Sequence, residues 1–112
     1  MFAAAVASLV LASAFLVEED RPYVVTAIDY HFHDAHPTLP IGPGRDLIVR
    51  NQGQNVHNVT IPALGFSRDV PPGGQVVIGS IADRLAPGRY ELFCRIHLKA
   101  FGMKGVIVIA SE

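Results

Sequence analysis

The sequence predicts an all-β fold, a Greek-key β-sandwich of seven to eight short strands in one domain, preceded by an N-terminal hydrophobic segment. Three observations carry that prediction. Short runs rich in Val, Ile, Tyr and Phe recur along the chain, and clusters of Gly and Pro separate them. These turn signals fall about every 8–12 residues, the rhythm of a two-sheet sandwich. Half of the 112 residues are hydrophobic, enough to fill the space between two sheets, and no internal repeat or linker divides the chain.

The elements follow in order. Residues 1–20 are expected to be a signal peptide or membrane anchor, and residues 21–112 the folded domain. Met1 to Val17 carries no charge and is rich in Ala, Val and Leu, and Glu18-Glu19-Asp20-Arg21 ends it abruptly. Ala12-Ser13-Ala14 fits the small-x-small pattern of a cleavage site. The positive residues that open such a signal are missing, as they would be if Met1 lay inside a longer signal. The segment is slightly shorter than the roughly 20 apolar residues of a membrane span. A cleaved signal is therefore the first expectation, ahead of an anchor or a buried helix. An exported protein, periplasmic or extracellular, follows from it.

Tyr23 to Tyr30 is β-branched and aromatic, a good first strand. His31-Phe32-His33-Asp34-Ala35-His36 and the prolines at 37 and 40 read as an irregular edge segment, because proline cannot donate to a ladder. Ile41-Gly42-Pro43-Gly44 is a turn, Asp46 to Arg50 a strand, and Asn51-Gln52-Gly53-Gln54-Asn55 a polar loop. In Val56 to Ile61 the period of two places His57, Val59 and Ile61 on the core face, and Asn58 and Thr60 on the other. Phe66 to Val70 is a short edge piece, and Gln75 to Ile81 another strand. In Arg89 to Cys94, Tyr90, Leu92 and Cys94 share the core face. Gly105 to Ala110 is almost wholly apolar and suits the middle of a sheet.

The chemistry concentrates between Tyr90 and Ile109. The single cysteine, Cys94, is followed by His97 and then Met103. One cysteine excludes an intrachain disulfide, and it also excludes a binuclear copper centre bridged by two thiolates. A thiolate and a thioether are soft ligands that favour Cu(I), whereas imidazole suits both oxidation states. His57, Cys94, His97 and Met103 therefore form a candidate site for one copper ion cycling between Cu(I) and Cu(II). Cys-x2-His alone is a weak signal. Its conjunction with a single Cys, Met103-Lys104-Gly105 and an upstream His-Asn in an alternating strand is strong.

On those residues the sequence resembles the small type 1 blue copper proteins of the cupredoxin family, in the plastocyanin, pseudoazurin and amicyanin group. The matching pieces are His57-Asn58-Val59, Tyr90-x3-Cys94-x2-His97 with Met103-Lys104-Gly105, and the closing Val-Ile-Val-Ile strand. The resemblance implies that His57 and His97 bind through ring nitrogens, Cys94 through its thiolate and Met103 weakly from the axial side. It implies that Asn58 ties the two ligand-bearing strands together and that Tyr90 is a packing tyrosine. Two departures stand out. Five residues separate His97 from Met103, slightly more than in similar proteins, and Leu98 replaces a common proline. Gly102 and Gly105 are expected to absorb the extra residue.

Each ligand also has an ordinary reading. Cys94 and Met103 could be core residues, and His57 a paired structural histidine. Asn58-Val59-Thr60 matches a glycosylation acceptor, discounted because a glycan there would obstruct docking at the site. His31, His33 and His36 could hold a second metal. The solvated edge segment is the preferred reading, because nothing else obviously completes such a site.

The function expected is an electron carrier rather than an enzyme, a monomer whose redox partners dock transiently at the His97 end. Leu98, Ala100 and Phe101 form an apolar collar there, and Arg95, Lys99 and Lys104 give it local positive charge. The net charge of −1 implies neither nucleic acid nor an anionic membrane surface as partner. The alternative is a periplasmic copper chaperone or copper-resistance protein. A structural zinc site on His57, Cys94 and His97 ranks third. A cysteine–histidine hydrolase ranks last, since no third orienting residue is evident.

Overall fold

The computed structural model describes residues 21–35 and 40–111. The expected signal or anchor at residues 1–20, and His36, lie outside the described residues. No helix among the described residues is long and apolar enough to cross a membrane.

Among the described residues nine strands form two mixed sheets facing each other. They are β1 (Tyr23–Ile28), β2 (His31–His33), β3 (Pro40–Ile41), β4 (Asp46–Asn51), β5 (His57–Ile61), β6 (Phe66–Val70), β7 (Gln75–Ser80), β8 (Gly88–Phe93) and β9 (Lys104–Ile109). One sheet has the order β2-β1-β4-β7 and the other β3-β9-β8-β5-β6. Alternation decides what each strand buries. Tyr23, Val25 and Ala27 of β1, Leu47 and Val49 of β4, Val59 and Ile61 of β5, and Ile107 and Ile109 of β9 all enter one core. Each strand turns its intervening residues to the other face, as the pleat requires, and of these Asn58 on β5 is itself buried.

The count exceeds the seven to eight expected, and the reason lies in the segment read as irregular. His31–His33 folds back on β1, pairing Ile28 with His31 and Thr26 with His33. Pro40–Ile41 pairs in parallel with the end of β9, and Ala110 N donates to Ile41 O at 3.0 Å. Pro40 is tolerated because it opens an edge strand, where its missing N–H leaves no ladder bond unmade. The first strand is also shorter than expected. It stops at Ile28, and Asp29-Tyr30 forms the tight turn into β2.

Two pairings set up the functional end. β8 lies between β9 and β5, antiparallel to both. Its ladder with β5 holds at Thr60↔Phe93 alone. Continued one step outward, that register brings the start of β5 to the residues that follow β8. His57 and Cys94 therefore arrive at the same end of the sandwich. Tyr90, on β8, packs partly buried against the core, and its hydroxyl donates to Ala86 O at 2.7 Å, pinning the turn that precedes the strand.

Candidate metal centre

His57 opens β5 and is 1% exposed; Cys94 follows β8 and is fully buried. The chain then makes a tight turn, with His97 N and Leu98 N both donating to Cys94 O at 3.2 and 2.9 Å. Leu98 occupies the place of the common proline, and its N–H makes a bond that proline could not. The five-residue spacer is a single helical turn, α1 (Leu98–Phe101). It closes at Gly102, whose φ of +65° is left-handed and whose N–H caps Leu98 O at 2.8 Å. Gly102 thus absorbs the longer spacer as expected. Gly105 does something else. A Cβ there would lie 2.8 Å from the Ala35 Cβ, so its role is close approach to the chain after β2.

Met103 follows α1 and lies beside Cys94 along the backbone. It is fully buried, and its carbonyl accepts the Cys94 N–H at 3.0 Å. The metal-binding atoms of His57, Cys94 and His97 lie within 4.8 Å of one another. Both histidines point Nδ1 inward: His57 Nδ1 is 3.1 Å from His97 Nδ1, and Cys94 Sγ is 3.5 Å from His97 Nδ1. Such separations are those of nitrogen and sulfur ligands about 2.0–2.3 Å from a common ion. A free thiol in this position has no disulfide partner, and two imidazoles with a thiol make the donor set of a trigonal copper site. The residues present therefore fit the group.

The electrostatics keep the donors ready. Burial, then the neighbouring His57, holds His97 below the ordinary histidine value, with Asp29 opposing. A neutral imidazole is the ligand form. The backbone amide of Asn58 donates to Cys94 Sγ at 3.3 Å, which fixes the sulfur at the end of β5. The Asn58 side chain spans the gap where the β5–β8 ladder ends. Its Oδ1 accepts Arg95 N–H at 3.1 Å, and its Nδ2 donates to Asp69 Oδ1 at 2.9 Å. The tie between ligand strands is present. Asn58 is 1% exposed, which agrees with discounting it as a glycan acceptor.

Two neighbours of the site did not emerge from the sequence. Asp29 Oδ1 lies 2.5 Å from His57 Nε2. Tyr30 packs 4.8 Å from the His97 ring and stacks on Phe101 at 3.9 Å and 3°. A strand read through to Tyr30 hid both; the signal available was the pair of polar residues ending an otherwise apolar run. Around His97, Phe101 and Ile96 are exposed at 54% and 42%, so Ile96 joins the apolar collar. The positive charge expected there is reduced, because Arg95 pairs with Asp69 at 3.2 Å. His31 and His33 sit on the exposed edge strand β2 with Nε2 atoms 3.1 Å apart.

Comparison with known proteins agrees with this fold. Residues 1–109 match the family model described as a cupredoxin-like domain. No curated protein matches the sequence. Among solved structures, a Cu-containing nitrite reductase from Thermus scotoductus SA-01 is similar at 20% identity and a TM-score of 0.64, over 81% of this chain and 23% of that one. A mutant plastocyanin of fern is 15% identical with a TM-score of 0.62, over 78% of this chain and 99% of that one. A reduced Cu(I) form of an amicyanin variant is 18% identical with a TM-score of 0.60, over 80% and 82%.

Proposed function

The chain belongs to the cupredoxin-like family, and from that premise we propose that it is a mononuclear type 1 copper protein that carries single electrons between redox partners outside the cytoplasm. His57 and His97 would hold the ion through Nδ1, Cys94 through its sulfur and Met103 through its thioether. The observation that carries this reading is the convergence of two Nδ1 atoms and one Sγ within 4.8 Å at the buried end of the sandwich. Copper would supply the one-electron couple there, and a donor set held in place by the two sheets would keep reorganisation small.

His57 and Cys94 are sealed in the core, while His97 is half-buried among Tyr30, Ile96 and Phe101. Electrons would therefore enter and leave by the His97 edge, and a partner would dock on the apolar collar for a brief encounter. Lys99 and Lys104 would steer an acidic partner, so association should slow as salt rises. Residues 1–20 would direct export or anchor the domain at a membrane, and residues 21–112 would act as a monomer. The nitrite reductase is more than four times the length this chain matches, and no reaction is carried over from it.

Adding Cu(II) to the folded domain tests the reading. An intense blue thiolate-to-copper band is expected, and Cys94→Ser should abolish it. A correctly folded wild-type protein that stays colourless would defeat the proposal and leave the zinc reading.

One observation favours copper handling as a second reading. The His31 and His33 rings meet edge-on at 65°, and their Nε2 atoms are 3.1 Å apart, the spacing of two neighbouring ligands on one ion. An exposed two-imidazole site would exchange metal quickly. In the Cys94→Ser background, residual copper binding that His31→Gln and His33→Gln remove would support it. No binding in that background would exclude it.

A further inference from the structure

We propose that Asp29 is the positioning residue of the metal centre: its carboxylate holds the ring of His57 in the tautomer that presents Nδ1 to the ion, and its charge favours the oxidised site. The proposal rests on the reading of His57 as a copper ligand.

The argument begins with the ring. His57 is 1% exposed, so neither of its nitrogens is freely solvated. Nδ1 faces His97 and Cys94, and Nε2 faces Asp29 Oδ1 at 2.5 Å. A carboxylate accepts and cannot donate. Nε2 must therefore carry the proton, which leaves the Nδ1 lone pair free for a metal. The other tautomer would place a proton among the ligands and leave two acceptors facing each other at the back of the ring. A carboxylate behind a ligating imidazole also raises the basicity of the ligating nitrogen.

The carboxylate is itself built in. Its second oxygen accepts the backbone N–H of Gln54 at 2.9 Å and the side-chain amide of Asn55 at 3.2 Å. Those donors come from the polar loop after β4. Asn51 braces that loop from inside, accepting Gly53 N–H at 2.8 Å and donating to Asn55 O and Val70 O, both at 2.8 Å. Gly53 lies where the two groups meet. A Cβ at that position would come within 2.9 Å of His57 Nε2 and closer still to Asp29. The loop has no side chain at the one point where a side chain would part Asp29 from His57. Four elements converge on one contact: the β1–β2 turn, the end of β4, the following loop and the start of β5.

Two measurements decide the matter. In the metal-free protein, nitrogen NMR of the His57 ring should show the proton on Nε2 in the wild type, and Asp29→Ala should move it in part to Nδ1. In the copper form, Asp29→Asn keeps an acceptor but removes the charge, so the blue band should persist while the potential rises. A tenfold loss of affinity for Cu(II) relative to Cu(I), the lower end of the usual effect of removing such a partner, corresponds to about 59 mV for one electron. Asp29→Glu should return the potential toward the wild-type value. A purely structural role would lower the unfolding midpoint and leave tautomer and potential alone, and that result would overturn the proposal. If Asp29→Ala does not fold, the isosteric Asp29→Asn still decides through the potential. If the wild type takes up no copper, the function proposed above fails, while the tautomer measurement still decides whether Asp29 sets His57.

Discussion

Replacing Asn58 by Ala should destabilise the metal-free protein by about 2–3 kcal/mol, and the value can be built bond by bond. The strands that carry His57 and Cys94 share one ladder position, Thr60↔Phe93, so beyond it the Asn58 side chain does the joining. Its Oδ1 accepts Arg95 N–H at 3.1 Å and the Thr60 hydroxyl at 2.6 Å. Its Nδ2 donates to Asp69 at 2.9 Å and Ser67 at 3.2 Å. Neutral bonds contribute about 1 kcal/mol each and a bond to a carboxylate about 1.5–3, which sets a ceiling of about 6 for the group. Asp69 is 54% exposed and Ser67 is exposed, so both regain water and most of their share is recovered. The Arg95 amide is partly buried against Asn58, and its loss stands. Urea unfolding of metal-free protein is the assay, since bound metal would stabilise wild type and variant by its own linkage. With a slope of about 1–3 kcal/mol per molar, the midpoint should fall by roughly 1 M. Thr60→Val removes two bonds at the outer edge, to Asn58 at 2.6 Å and to the exposed Ser67 at 2.9 Å, and should cost less than Asn58→Ala because Ser67 regains water and the Arg95 amide keeps its partner. If Asn58→Ala costs under about 0.5 kcal/mol, below even one ordinary hydrogen bond, the side chain does not join these strands and the reasoning fails.

Met103→Leu nearly conserves volume, so stability should change by less than about 1.5 kcal/mol. The blue band should survive and the reduction potential should rise, because a thioether is exchanged for a group that only excludes water; an unchanged potential in voltammetry would assign Met103 to the core alone. Gly105→Ala must push a methyl against Ala35, whose carbonyl would also lie 3.1 Å from the new Cβ, and should cost about 1–3 kcal/mol by overpacking. Gly102→Ala meets no atom within 4 Å and should cost only the left-handed strain at φ +65°, about 1–2 kcal/mol; thermal unfolding of the two variants separates the causes. Tyr23 is held above its ordinary value of 10.0, first by burial and then by Asp34, and its hydroxyl donates to Asp34 O at 2.8 Å. The folded state keeps the neutral form, so Tyr23 stabilises fully below pH 10 and loses that contribution as pH rises above it. Tyr23→Phe should flatten the alkaline limb of a stability–pH profile.

What the sequence revealed followed from period and from ligand type. The pattern of His57, Val59 and Ile61 on one face survives folding because a strand with one buried side cannot slip by one residue without turning its whole row outward. Cys94, His97 and Met103 were legible because they lie on one short stretch, and soft ligands at close spacing have few other uses. The edge strands β2 and β3 were hidden. Three residues, or two with a proline, carry too little periodicity to register, and only their partners β1 and β9 make them strands. Asp29 was hidden for a related reason. A polar residue at a strand end is an ordinary turn signal, and its partner stands 28 positions away.

The same division explains how the centre is held. The candidate ligands come from the start of β5 and from the segment between β8 and β9, and that sheet alone does not fix the back of either imidazole. The turn between β1 and β2, in the facing sheet, supplies both missing contacts. Asp29 meets the outer nitrogen of His57, and Tyr30 covers the face of His97 while stacking on Phe101. Asn55 joins the two residues, donating to Asp29 at 3.2 Å and to the Tyr30 hydroxyl at 3.3 Å. Ligand geometry is therefore set by the closure of one sheet on the other, not by the Cys94–Met103 loop alone. A change that loosens the β1–β2 turn would disturb both histidines together while leaving the Cys94 sulfur, anchored by Asn58 N–H, in place.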